Sequence, residues 1–174
     1  MQTVYDRAKL IKLIVFDVDG VMTDGSLYLG DDGQEFKAFY AHDGHGLKML
    51  KRSGVELAII TGRTSQTVIH RAKNLGISHL YQGVEDKLEA YLHLTQALNL
   101  DPQFSAFMGD DVVDLPPMRR AGLALSVPAA PSLVKQHSHY ITKQDGGRGA
   151  VREVCELLMH AQQTFDNQML PFLR

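Results

Sequence analysis

The chain has almost nothing with which to cross-link itself: its 174 residues include one cysteine, Cys155. A lone thiol makes no internal disulfide, and the apolar helical stretch around it reads as a buried core position in a reducing compartment. Excess positive charge is missing too. Eighteen Lys and Arg against twenty Asp and Glu leave a formal net charge of −2, so no basic field is available to hold a phosphate backbone; no nucleic acid is expected as a partner, and a small solute is. Long hydrophobic runs are also lacking. Residues 1–12 carry Asp6, Arg7, Lys9 and Lys12, and the apolar run that follows stops at Asp17, too short and too charged for a signal core or a membrane span. The expectations are a cytoplasmic location and no membrane partner. No fixed repeat, low-complexity tract or linker rich in Gly, Ser or Pro divides the chain. Its length suits one core better than two, so 1–174 is expected to form a single domain.

What is present begins with Leu13 to Gly25, where an apolar run ends abruptly in two carboxylates one residue apart, Asp17 and Asp19, and then in glycine. A strand there delivers both acids to its carboxyl end; an Asp-Gly hairpin turn after a buried strand is the plainer reading of the same residues. The rest of the chain decides between them. Strand patterns at Leu10–Val18, Glu56–Ile60, His79–Tyr81, Phe104–Met108, Leu123–Val127 and Tyr140–Thr142 alternate with helical patterns at Gly44–Arg52, from a Ser65 cap to Asn74, Lys87–Leu98, Leu115–Arg120, Ser132–Gln136 and Val151–Gln163. On the Lys87–Leu98 helix, Leu88, Leu92 and Leu94 to Leu98 are expected to form one broad apolar face. Ser26–Leu29 and Glu35–Phe39, around Gly30-Asp31-Asp32-Gly33, read as a hairpin. Such alternation implies an α/β fold, a mostly parallel sheet covered on both faces.

On that map Asp17 and Asp19, Thr61-Gly62-Arg63 and Gly109-Asp110-Asp111 all follow strands, and Lys87 opens a helix after one. The carboxyl ends of parallel strands share one edge, so these residues are expected to converge there. Clustered carboxylates raise one another's pKa unless a cation sits among them, and hard oxygen ligands suit Mg²⁺. A phosphoryl group brought to such a metal can be attacked by one carboxylate, with a hydroxyl from Thr61 and an ammonium from Lys87 on the remaining oxygens. A second carboxylate then serves the leaving alcohol and the incoming water. His42 and His45 suggest a zinc pair, but no Cys or third His is suitably spaced. Gly146 to Gly149 can cradle an anion, or can simply be a flexible loop before the last helix.

Asp17-Val18-Asp19-Gly20, Thr61-Gly62, Lys87 and Gly109-Asp110-Asp111 with Asp114 resemble, in order and spacing, the four motifs of the haloacid dehalogenase superfamily of phosphatases. The resemblance implies a Rossmann-like three-layer sandwich. It makes Asp17 the nucleophile and Asp19 the general acid/base, with Mg²⁺ held by the carboxylates of Asp17 and Asp110 and the backbone carbonyl of Asp19. Thr61, Gly62 and Lys87 would bind the phosphoryl group, and Asp111 and Asp114 would orient the metal's waters and the lysine. Lys37-Ala38-Phe39, Asp43-Gly44, Ala58 to Arg63, Leu80 to Gly83 and Gly146 to Glu153 further resemble the 3-deoxy-D-manno-octulosonate 8-phosphate phosphatases, across nearly the whole chain. Those enzymes feed lipopolysaccharide synthesis, lack a large cap domain, and are homotetramers in which hairpins and a neighbour's tail help close the site. Here the hairpin flap would span about 26–39, the last helix and tail about 150–174. Tyr40, Ala41, His42, Asp43, Gly44, Lys48, Arg63 and Arg71 fall where the resemblance puts contacts to a sugar-acid phosphate, with His42 standing where that family commonly has arginine.

Two alternatives remain open at this stage: a phosphatase of a nine-carbon sialic-type acid 9-phosphate, and a receiver-like signalling domain. Receivers also gather a phosphorylated Asp, a Thr and a Lys at one sheet edge. Their lysine comes last, whereas Lys87 precedes Asp110, and Asp19 is a spare carboxylate that hydrolysis needs and a long-lived phospho-signal does not.

Overall fold

The computed structural model describes residues 2–174. In chain order the elements are α1 (Gln2–Ala8), β1 (Leu13–Phe16), β2 (Tyr28–Leu29), β3 (Glu35–Phe36), α2 (Ala41–Arg52), β4 (Glu56–Ile60), α3 (Gln66–Leu75), β5 (His79–Tyr81), α4 (Lys87–Ala97), β6 (Ser105–Met108), α5 (Leu115–Met118), β7 (Leu123–Ser126), α6 (Ser132–Gln136), β8 (Tyr140–Ile141), α7 (Ala150–Ala161) and α8 (Phe165–Met169). Six strands form a parallel sheet in the order β5-β4-β1-β6-β7-β8, and β2 pairs antiparallel with β3 as a separate hairpin.

The sheet's centre is β1, whose four residues Leu-Ile-Val-Phe are fully buried. A strand apolar on every residue fits only where helices cover both faces. The chain runs outward from β1 through β4 to β5, then returns to β6 on the other side of β1 and continues through β7 to β8. Right-handed crossovers therefore place α2 and α3 on one face and α4 and α5 on the other. The reversal at β1 opens a crevice between the carboxyl ends of β1, β4 and β6, where ligands of open α/β sheets bind. Among the described residues no helix is long and apolar enough to cross a membrane.

Several local expectations are corrected. The first strand is shorter than Leu10–Val18, because the preceding segment is the helix α1: Leu10 and Ile11 N–H still donate to Arg7 and Ala8 carbonyls, and Leu10 is half exposed. α2 begins at Ala41, not Gly44, with Tyr40 as its extended N-cap. Neither Asp nor Gly favours a helix interior, yet at Asp43-Gly44 tertiary contact overrides that propensity. Gly44 faces the Arg71 guanidinium, and Gly46 faces Arg152 and Cys155 of α7 too closely to admit a Cβ. Ser65 occupies the N-cap of α3 without capping it through its side chain, and Gly76 closes that helix in the left-handed conformation at φ +69°. On α4 the buried apolar side chains are Tyr91 and Leu94, whereas Leu92 faces solvent, so the apolar face is narrower than its leucines suggest.

Candidate active site

The site is assembled by the ends of β1, β4 and β6. Asp17 is the first residue beyond β1, and its N–H donates to the Met108 carbonyl of β6 at 2.9 Å. Its carboxylate therefore projects where the sheet stops. Lys87, at the start of α4, lies with its Nζ 2.9 Å from Asp17 Oδ1 and 2.7 Å from Asp114 Oδ1. Asp114 is wholly buried, and its other oxygen accepts the Asp110 and Asp111 N–H groups at 3.0 and 3.2 Å. It thus fixes both the ammonium and the loop that carries Asp110.

Carboxylate oxygens of Asp17, Asp110 and Asp114 lie within 4.8 Å of one another. Burial, reinforced by the neighbouring acids, pushes Asp110 up to about 7 and Asp17 up to about 6, the latter against the pull of Lys87. Three acids crowded around one ammonium are short of positive charge, and a divalent cation is the ordinary remedy. Of the three, Asp114 has both oxygens committed to Lys87 and backbone N–H groups, which leaves Asp17 and Asp110 as the carboxylates with oxygen to spare for a cation. A Cβ at Gly20 would collide with the Asp110 carboxylate; glycine there leaves that acid its room. The all-oxygen donor set fits Mg²⁺, the cofactor of the chain.

Thr61 is buried just past β4, held by its N–H to the Tyr81 carbonyl at 3.0 Å and by Val84 N–H on its own carbonyl at 3.2 Å. A Cβ on Gly62 would meet only the Val84 carbonyl, at an ordinary van der Waals distance of 3.5 Å. Asp111 is exposed, and its Oδ1 accepts Val112 N–H at 2.7 Å, capping the short 3₁₀ turn Val112–Asp114.

Asp19 belongs to a second set of charges. Its Oδ1 is 2.5 Å from Nζ of Lys37 on the hairpin; Lys37 also lies 2.7 Å from Glu35, and Glu35 is 2.5 Å from Arg63. The chain Arg63–Glu35–Lys37–Asp19 ties the hairpin to the loop that follows β1. Sequence reasoning gave Lys37 and Glu35 no role, although residues two apart on a strand share a face and so signalled the pair.

The expected sugar contacts are dispersed. Tyr40 and His42 meet edge to face and line a cleft of about 440 Å³ with Arg148, Arg152, Lys143 and Tyr140. Lys48 lies on a different, exposed surface beside His45, Lys51 and Arg52, so the structure does not bring it to Tyr40 and His42. Asp43 is buried, and its Oδ1 accepts Arg152 N–H at 2.8 Å; it serves α7. Gly44 is likewise buried, against Arg71, while Ala41 is exposed at the first turn of α2. Arg71 lies over the Phe39 ring and donates to the Tyr40 carbonyl at 3.3 Å. Arg63 is occupied by Glu35. The two cleft arginines, Arg148 and Arg152, were not singled out: Arg148 precedes the left-handed N-cap Gly149 and Arg152 lies in the first turn of α7, so no helical spacing relates them and only the folded loop brings both to one cleft.

A family model for haloacid dehalogenase-like hydrolases matches residues 38–122, beginning after the first acidic motif. The 3-deoxy-D-manno-octulosonate 8-phosphate phosphatase KdsC of Yersinia pestis is 47% identical over 94% of this chain and 87% of its own length. A crystal structure of the 3-deoxy-D-manno-octulosonate 8-phosphate phosphatase of Moraxella catarrhalis, in complex with magnesium ion, phosphate ion and KDO, superposes with a TM-score of 0.97 at 49% identity, covering 99% of both chains. The cobalt-bound enzyme of Haemophilus influenzae superposes with a TM-score of 0.88 at 34% identity, covering 90% of this chain and 92% of that one. Sheet order, acidic crevice and near-complete similarity agree: the chain belongs to the haloacid dehalogenase superfamily, in its family of 3-deoxy-D-manno-octulosonate 8-phosphate phosphatases.

Proposed function

We propose that the protein hydrolyses 3-deoxy-D-manno-octulosonate 8-phosphate to the free sugar acid and phosphate through an aspartyl-phosphate on Asp17. The observation that carries this reading is the Asp17 carboxylate at the end of β1, with Lys87 2.9 Å away and Asp110 alongside; similarity across 94% of the chain to enzymes named for that substrate supports its identity.

Asp17 attacks phosphorus while the ester oxygen leaves opposite it. Asp19 gives that oxygen a proton, then takes one from the water that cleaves the acyl phosphate. Lys87 and the Thr61 hydroxyl, with the Gly62 backbone, neutralise the phosphoryl oxygens, and Asp114 holds Lys87 in place for this. Mg²⁺, held by Asp17, Asp110 and the Asp19 carbonyl, would shield the phosphoryl group's negative charge from its carboxylate attacker. Tyr40, His42, Arg71 and Arg63 surround the rest of the substrate in this reading, with Asp43 acting behind them through α7.

The same reading makes the chain one domain and places it in the cytoplasm, in lipopolysaccharide synthesis. It also makes the protein a homotetramer, which the exposed Leu27, Tyr28, Leu29 and Phe36 of the hairpin support, because apolar side chains so concentrated mark a contact surface. The test is phosphate release from a panel of sugar phosphates with and without EDTA. The eight-carbon acid should lead, and activity should vanish with the metal; preference for the nine-carbon acid 9-phosphate would replace the substrate, and full activity in EDTA would overturn the scheme.

A further inference from the structure

The glycine-rich segment before α7 is neither a free loop nor a cradle, because its backbone is pressed against the catalytic loop. Gly147 N–H donates to the Val21 carbonyl at 3.0 Å. A Cβ on Gly146 would collide with the backbone of Gly20 and Thr23, and one on Gly147 with Thr23 and Asp24. From inside, the same loop is gathered by the buried Thr23 hydroxyl, which accepts Gly20 and Gly25 N–H at 3.3 and 3.2 Å. From its other side it meets Asp110, which leaves no room for a Cβ at Gly20. Gly20, the residue directly after Asp19, is therefore held between the Asp110 carboxylate and residues 146–147, which constrains the peptide that carries the Asp19 carbonyl.

One side chain fastens that backing segment. Glu153, in the first turn of α7, accepts the Tyr140 hydroxyl at 2.7 Å, Lys143 N–H at 2.9 Å and Gln144 N–H at 3.0 Å. Burial and the same carboxylate push Tyr140 up to about 12, so its hydroxyl remains a donor. α7 is itself fixed from outside, since Gly149 at its N-cap offers no side chain and Asp43 of α2 accepts Arg152 N–H instead. A carboxylate accepting three donors from one short segment sets that segment's path.

We propose that Glu153 is a positioning residue for the reaction: by fixing residues 140–144 it seats Gly146 and Gly147 against the catalytic loop and so holds Asp19 in its working orientation. The inference rests on the reading of Asp17 and Asp19 given above. Misplacing an acid/base group by a fraction of an ångström slows the chemical step and leaves ground-state binding largely intact.

The experiment is steady-state phosphate release, in Mg²⁺, by the full chain carrying Glu153→Ala, Glu153→Gln, Gly146→Ala, or Glu153→Ala with Gly146→Ala. Glu153→Ala should lower kcat about 10- to 100-fold with KM within about threefold, and Glu153→Gln, which keeps one acceptor oxygen, should recover part of the loss. The double variant should be little slower than the worse single one, because both changes release the same contact. If Glu153→Ala does not fold, Glu153→Gln and Tyr140→Phe carry the same comparison at smaller size. Wild-type kcat in a folded Glu153 variant, a loss confined to KM, or single effects that multiply would each overturn the proposal. Asp17→Asn run beside them separates the two claims: its inactivity with an unaffected Glu153 variant rejects only the positioning role, whereas turnover by Asp17→Asn rejects the underlying mechanism.

Discussion

The sheet edge and the hairpin beside it both carry chains of alternating charge, and they differ in what holds the charges still. At the edge, Lys87, Asp17 and Asp114 have side chains 4%, 8% and 0% exposed, and each is anchored by a strand end or a helix start. On the hairpin the Lys37 side chain is equally covered, at 1% exposed, but its partners open outward, Glu35 to 15% and Arg63 to 46%, and the charges ride on or beside strands only two residues long. A two-stranded ribbon of that size has little stability of its own. The sheet-edge set is therefore held by the fold itself, while the hairpin takes its position from the partners it finds. In the proposed mechanism the chemistry shared by the superfamily sits on the first, and substrate recognition falls to the second.

The comparison is broken most severely by Asp17→Asn. The amide is nearly isosteric and cannot attack phosphorus, so turnover should fall on the order of 10⁴-fold or more, with the fold retained by circular dichroism. Removing the ammonium comes next. Lys87→Ala leaves Asp17 and Asp114 facing each other without a counter-charge, and loss of one partner of a buried pair costs about 3–5 kcal/mol. Thermal unfolding in EDTA should show a drop of that size, and added Mg²⁺ should restore part of it by supplying charge at the same place.

This division also explains what could be read before any coordinates. Asp17, Thr61, Lys87 and Asp110 were legible as neighbours because a parallel sheet turns distant strand ends into one edge, and strand patterns reveal where those ends fall. α1 escaped because seven residues with only Val4 and Ala8 buried give little periodic signal. Lys37 escaped because a long side chain's partner depends on how a short hairpin folds over. Glu153 lay within a recognised motif, yet its partners are two backbone N–H groups and a tyrosine hydroxyl, and backbone donors have no residue letter. Asp43 was expected only as a substrate contact, and nothing local reveals that a second helix also takes its carboxylate as a cap.

Titration separates the regions further. Burial raises Asp17 to about 6 and Asp110 to about 7 in the metal-free protein. A carboxylic acid with a raised folded-state pKa binds more protons folded than unfolded, so its contribution is intact below the ordinary value near 4 and is lost progressively as pH climbs from there through about 6 for Asp17 and about 7 for Asp110. The metal-free enzyme should therefore lose stability across that window, by about 1.4 kcal/mol per pH unit for each titrating acid. Mg²⁺ competes with those protons. The rise in Tm on saturation with Mg²⁺ should be larger at pH 8 than at pH 5, and Asp110→Asn should flatten the difference; scanning fluorimetry at fixed ionic strength reads both.

The smallest effect is expected at Arg63, and its size is informative. Arg63→Ala removes a half-exposed guanidinium from Glu35, which keeps Lys37 as a partner at 2.7 Å, so no acid is stranded. Such pairs contribute about 0–1 kcal/mol, and salt screens them. Denaturant unfolding should show a loss below about 1 kcal/mol at low salt that fades at 1 M. A loss comparable to that of Lys87→Ala would mean that the hairpin is as firmly built as the sheet edge and that the contrast between them is false. The catalytic counterpart is a kcat within about threefold of wild type with a raised KM, because losing a contact made equally in ground and transition states weakens binding and leaves the chemical step unchanged.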